Sequence, residues 1–240
     1  MNTSTNKSYK SAFIFLTSLF FLWGFITVLV DSLIPRIREL FTLSYFQAGL
    51  VQFAFFGAYF LLSIPAGFIL SKIGYKKGIV LGLLTMAVGC LLFYPAASFR
   101  EFGIFMVAYF VLAGGMTVLQ VAANPYVAAL GSEEGASSRL NLSQAFNSLG
   151  TAIAPAIGAM FILSDKVKNS DEIAALSDSA KETYLASEAS AVQSPFLGIT
   201  GFIVVLAVIF MFVQLPKILG EKANTGGFGA ALKHKSLRLG

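Results

Sequence analysis

The chain has 240 residues, of which 56% are apolar and only 12% charged, with 24 phenylalanines and a mean hydropathy of +0.77. A soluble domain carries about 25% charged residues, so this chain cannot coat a water-facing surface of ordinary polarity, and disorder or collagen-like repetition is excluded on the same grounds. The net charge of +5 does not signal a nucleic-acid partner, because the basic residues fall in short segments between apolar runs, the pattern of a topological bias in a membrane protein.

A helix crossing about 30 Å of hydrocarbon needs roughly 20 mostly apolar residues. Six such runs follow one another, at 11–35, 47–71, 78–98, 102–130, 140–163 and 194–216. The expected fold class is therefore an all-α membrane protein with six transmembrane helices. The first run, preceded by Lys7 and Lys10, is too long for a signal peptide and is followed by no small-residue cleavage site. It holds Trp23-Gly24 near its middle and Asp31 further along, roughly 30 Å from Lys10 at 1.5 Å per residue. Pro35 has no N–H to give the Asp31 carbonyl, so a free acceptor beside a carboxylate suits a proton or small cation. A merely hydrated interfacial Asp31 is the other reading.

The second run ends in Pro65-Ala-Gly67, a pattern repeated as Pro155-Ala-Ile-Gly158 in the fifth, a faint sign of a three-plus-three repeat. The third and sixth runs carry few polar groups and read as lipid-facing. Gly78 and Gly82 in the third permit close helix approach. Polar groups in hydrocarbon usually face a bundle interior or a water-filled cavity, which assigns the cavity to runs one, four and five. In the fourth, Gln120 and Asn124 are four apart and share a face, while Pro125 frees the Val121 carbonyl. Ligand binding and interhelical hydrogen bonding both fit that pair. In the fifth, Asn141, Gln144 and Ser148, flanked by Asn147, build one polar stripe, and amides supply both donors and acceptors. With Trp23 and Tyr126 as stacking platforms, that chemistry favours a hydroxyl-rich ligand such as a sugar over an ion or lipid.

Cys90, the single cysteine, lies in an apolar run and His234, the single histidine, in a basic tail, so neither a disulfide framework nor a metal site is expected. No cofactor is expected either. Eleven of the 17 Lys and Arg residues fall on the side of both termini (Lys7, Lys10, Lys72, Lys76, Lys77, Arg139 and the five after residue 216), and six on the other. The positive-inside rule then places both termini in the cytoplasm. Residues 1–216 are read as one bundle, with a net-acidic external loop over 164–193. Residues 217–240 read as a cytoplasmic linker running up to a seventh span that never arrives. Six spans and such a linker suggest half of a larger bundle.

The loop Gly67-Phe-Ile-Leu-Ser-Lys72-Ile-Gly74-Tyr-Lys-Lys77 resembles the signature loop of the major facilitator superfamily, with Ser71 where an acidic residue is usual. Leu119-Gln-Val-Ala-Ala-Asn-Pro-Tyr126, Arg139-Leu-Asn-Leu-Ser-Gln-Ala-Phe-Asn-Ser-Leu-Gly150 and Phe21-Leu-Trp-Gly-Phe25 resemble the fucose–proton symporter family, in particular its glucose/galactose branch. The resemblance covers the whole chain as the first six of twelve helices and implies a two-bundle transporter working by alternating access, with Gly67, Lys72, Gly74 and Lys77 in a conformational loop. By position it makes Asp31 the proton-coupling carboxylate, and Gln144 and Asn147 sugar contacts. Gln120 departs from the pattern, standing where fucose symporters have a glutamate, which leaves coupling through Asp31 alone, sodium coupling and uncoupled uptake open. The expected function is secondary active transport of a hexose across the inner membrane, with proton or sodium, the lipid bilayer and a C-terminal six-helix half as partners. No enzymatic chemistry is expected. A sugar-sensing membrane protein without transport is the alternative.

Overall fold

The computed structural model describes residues 3–32, 44–162, 168, 172–173, 175–213 and 215–216. Within hydrocarbon every backbone polar group must be satisfied inside the protein, and the apolar runs accordingly form long helices: α1 (Thr3–Asp31), α2 (Tyr45–Ile73), α3 (Tyr75–Phe99), α4 (Phe102–Ala129), α5 (Ala136–Ile162) and α6 (Asp178–Phe212). Among the described residues α1, α2, α3, α4 and α6 are long and apolar enough to cross a membrane. The fifth expected span is a helix of sufficient length, 27 residues, but Ser138, Arg139, Asn141, Ser143, Gln144 and Asn147 crowd its first half. Its polarity calls for protein or water at its side rather than lipid.

The external loop expected over 164–193 is shorter than that: α6 already begins at Asp178. Ser177 caps it, its hydroxyl accepting from the Ala180 N–H at 3.4 Å, and the Ala- and Glu-rich run that follows has high helix propensity. Polarity fixes where a segment meets water, not whether it is helical. This extension packs against the end of α3: Gln193 Nε2 donates to Ser98 Oγ at 2.7 Å, and Arg100 holds Glu182 through two bonds of 2.8 and 3.3 Å. Pro35, Arg36 and Arg38, most of 163–171, and the linker from 217 lie outside the described residues.

Helix ends on the other face of the bundle are closed by side chains. Arg139 donates to the carbonyls of Val127 (3.2 Å), Ala128 (2.6 Å) and Ser132 (2.9 Å), placing a cation on the negative end of α4. Lys76 Nζ does the same for α6, reaching the Met211 carbonyl at 2.8 Å.

α4 is the central helix. It packs along α3 on one side and α2 on another, with α6 laid against α3 and α1 paired with α5. Two crossings depend on the absence of a side chain. At the α3–α4 crossing, a Cβ on Gly82 would lie 2.8 Å from the Leu119 nitrogen, and one on Gly115 2.5 Å from the Met86 nitrogen. At the α1–α5 crossing, a Cβ on Gly24 would run into the backbone oxygen of Asn147, and one on Gly150 into that of Phe21. The outward faces stay apolar, as with Phe53, Phe60 and Phe68 of α2 and Val88 and Leu91 of α3.

Because backbone, not a flexible side chain, meets the added atom, Gly150→Leu should cost about 1–3 kcal/mol or more of stability. Gly49→Ala, which points into open space, should be neutral. Thermal unfolding of the two variants in detergent, followed by circular dichroism, checks the contrast.

Candidate functional site

The α1–α5 crossing brings two polar helices together and leaves an open pocket of about 270 Å³ beside it. The pocket is lined by Trp23, Gly24 and Thr27 of α1, Phe55, Phe56 and Tyr59 of α2, Gln120 of α4, and Asn147 and Thr151 of α5. Each polar group is oriented by a neighbour. Asn147 Nδ2 donates to the Phe20 carbonyl at 2.9 Å, which leaves its side-chain oxygen as an acceptor. Gln120 Nε2 donates to the Tyr59 hydroxyl at 2.7 Å, and that hydroxyl keeps its own proton to donate. Thr27 Oγ1 bonds back to the Trp23 carbonyl at 2.8 Å. Trp23 stands edge-on to Phe20, their centroids 5.6 Å apart, and adds its aromatic side chain to the lining. An aromatic wall with a few fixed amides and hydroxyls is suited to an uncharged polyhydroxyl ligand.

Of the residues singled out in the sequence, Trp23, Gln120 and Asn147 meet in this pocket. Asn124 and Gln144 do not line it; they sit about one turn away and pair with each other across α4 and α5 at 3.4 Å. Asn141 is exposed. Tyr126 is not a stacking platform: it is 1% exposed, stacked on Tyr75 at 5.7 Å, and its hydroxyl donates to the Pro216 carbonyl at 2.7 Å. A tyrosine near a helix end that also carries carbonyl acceptors finds a partner there before any ligand does.

Asp31 stands apart from the pocket. It is the one carboxylate within the six apolar runs, half-buried, and accepts a hydrogen bond from the Tyr109 hydroxyl at 2.5 Å. Tyr109 is 1% exposed and wedged among Phe55, Phe93 and Phe105, with centroids 5.4–6.2 Å away. Sequence reading assigned the cavity to spans one, four and five. It missed α2, whose Phe55 and Tyr59 touch both centres. The available signal was a tyrosine in each of two apolar runs, Tyr59 and Tyr109, with Phe55 one turn before Tyr59 on the same face.

In the signature loop, Gly74 adopts a φ of 80° where α2 hands over to α3, a conformation that favours glycine. Lys72 and Lys77 are exposed, and Gly67 faces open space. The basic residue that reaches another helix is Lys76. No group of three or more His, Cys, Asp or Glu side chains is placed to hold a metal among the described residues.

Residues 11–239 match the Major Facilitator Superfamily model. The chain is 47% identical to a glucose/galactose transporter of Brucella abortus over 99% of its own length and 55% of the relative's. It is 39% identical to the L-fucose-proton symporter of Escherichia coli over 95% of its length and 53% of that protein. Among solved structures it superposes on the crystal structure of a major facilitator superfamily transporter in the outward conformation. That match has a TM-score of 0.85 and 39% identity, and covers 94% of this chain and 55% of the other. The chain thus spans about half the length of the curated relatives it matches.

The Gln120–Tyr59 bond should behave as a real interhelical coupling. A double-mutant cycle on Gln120→Met and Tyr59→Phe, read by thermal unfolding in detergent, should return about 0.5–1.5 kcal/mol. Asn141→Ala paired with Tyr59→Phe should return none.

Proposed function

The chain belongs to the major facilitator superfamily of multi-pass membrane transporters, and on that premise we propose that it forms the N-terminal six-helix bundle of a hexose transporter. The substrate is of the glucose/galactose or fucose type, taken up by alternating access with a proton as coupling ion. The observation that carries the reading is the convergence of Trp23, Tyr59, Gln120 and Asn147 on one open pocket. Its donors and acceptors are neutral, which matches sugar hydroxyls, and its aromatic wall matches the apolar face of a pyranose. The glucose/galactose transporter and the L-fucose-proton symporter among its relatives support the same substrate class.

The pocket's 270 Å³ falls just below the ~300–1,000 Å³ usual for small-molecule sites. This fits one wall of a site completed by a second bundle, as transport sites at repeat interfaces are. Asp31 is proposed as the coupling group. Gln120, a neutral amide, cannot exchange a proton, which leaves Asp31 as the one carboxylate within this chain's six apolar runs to carry it, with sodium coupling and uncoupled uptake as the other readings. Gln144, Asn124 and Asn141 are proposed to act in a second layer, holding α4 and α5 and facing the partner half. The loop containing Gly67, Lys72, Gly74 and Lys77 is proposed to move between states, with Lys76 tying it to α6. Its proposed location is the inner membrane with both termini cytoplasmic, the reading that the distribution of Lys and Arg supports.

Joined to the C-terminal half of the Brucella abortus relative and reconstituted in liposomes, the chain should accumulate hexose down a proton gradient. Residues 1–240 alone should insert but give no net uptake. Trp23, the single tryptophan, should report sugar binding through its emission. Asn147→Ala or Gln120→Ala should weaken that binding about 5- to 150-fold, the effect of losing ~1–3 kcal/mol from a buried hydrogen bond. Accumulation driven by sodium alone would replace the proton. Sugar binding with no transport by the joined protein would favour a sensor. No response to any hexose would remove the sugar reading.

A further inference from the structure

The coupling carboxylate and the sugar pocket do not touch, yet a continuous side-chain path joins them. Asp31 does not line the pocket; it accepts from Tyr109 on α4 at 2.5 Å, within the 2.5–2.7 Å range of charge-assisted O–H···O⁻ bonds. The Tyr109 ring lies 5.4 Å from that of Phe55 on α2, and Phe55 lies 5.1 Å from Tyr59. Tyr59 lines the pocket and holds Gln120. Among the described residues, the titratable groups facing Asp31 are Tyr109 of α4 and Tyr59 of α2; no Lys or Arg is paired with it.

Tyr109 is an expensive choice for a packing residue at that place. Its ring is 1% exposed in an aromatic cluster, where phenylalanine would pack as well, and the hydroxyl can be buried there only because the carboxylate accepts from it. We propose that Tyr109 is a positioning residue for coupling. It holds the Asp31 carboxylate against α4, so that loading or emptying that carboxylate shifts the tilted ring contacts from Tyr109 through Phe55 to Tyr59 and with them the Gln120 amide at the pocket. The ion then acts on the sugar site through α2 and α4 without entering it. This rests on the reading of Asp31 as the coupling group.

Tyr109→Phe keeps the ring and should fold. In the joined transporter it should lower uphill accumulation by about tenfold or more and displace the pH profile of accumulation by about one unit. Sugar exchange and Trp23-reported affinity should stay as in the unsubstituted protein. Asp31→Asn, which removes the titrating group itself, should lower accumulation at least as far, and adding Tyr109→Phe to it should cause no further loss, since Tyr109 acts only through that group. In the purified protein, the infrared carbonyl band of protonated Asp31, assigned by its disappearance in Asp31→Asn, should move in Tyr109→Phe. Intact accumulation and pH profile in Tyr109→Phe, a loss that adds to that of Asp31→Asn, or an unmoved infrared band would each overturn the positioning role. If the unsubstituted transporter accumulates nothing, the functional reading has failed instead, and the infrared band still decides whether Tyr109 holds Asp31.

Discussion

The backbones of α1 and α5 touch at Gly24 and Gly150, and the geometry of the pocket follows from that contact. With a side chain at either position the helices would have to separate, since the atom in the way is a main-chain oxygen. Contact at this distance lets Asn147 reach the Phe20 carbonyl. It also sets Trp23 of α1 and Asn147 of α5 beside a space that neither helix could enclose alone. In lipid, where apolar burial does not drive helices together, close backbone approach of this kind is a main source of association. The crossing is therefore both the joint of the bundle and the floor of the site.

Polar groups in the bundle fall into two classes by what they do with their hydrogen bonds. Arg139, Lys76 and Tyr126 spend theirs on helix ends, while Gln144 gives one to Asn124 and the pair keeps its other amide groups. Tyr59, Gln120 and Asn147 are each held by one hydrogen bond and keep further capacity at the pocket. A membrane protein can keep such capacity only where water or a ligand takes it up, because an unsatisfied group in hydrocarbon is costly. That division separates glue from site more sharply than residue type does.

The two bases of the bundle differ in the same spirit. At one end, Arg139 and Lys76 close the negative ends of α4 and α6, and the Tyr126 hydroxyl ties the chain leaving α6 to α4. At the other, the extension of α6 is strapped to α3 by Arg100–Glu182 and Gln193–Ser98. α3, α4 and α6 thus form a braced unit, while α1, α2 and α5 border the pocket together with α4. A bundle moving as one body in alternating access needs such bracing.

Sequence by itself settled the parts of this protein that depend on composition and period. Long apolar runs in lipid can only be helices, so element number and type were readable, as was the family, from strings such as Arg139 to Gly150. The polar residues of α1, α4 and α5 also pointed to the cavity, because such groups are too costly to leave in lipid. What the tertiary structure alone decided is which of those groups share a space. Gln144 and Asn147 look equivalent along the helix, three residues apart, but one faces Asn124 and the other the pocket, a difference set by the rotation of α5 about the Gly24–Gly150 contact. The contribution of α2 was hidden because Phe55 and Tyr59, like Tyr109 of α4, read as ordinary aromatic filling until packing brought the Tyr59 hydroxyl to Gln120 and the Tyr109 hydroxyl to Asp31. A helical period says which residues share a face; only the packed neighbours say what that face meets.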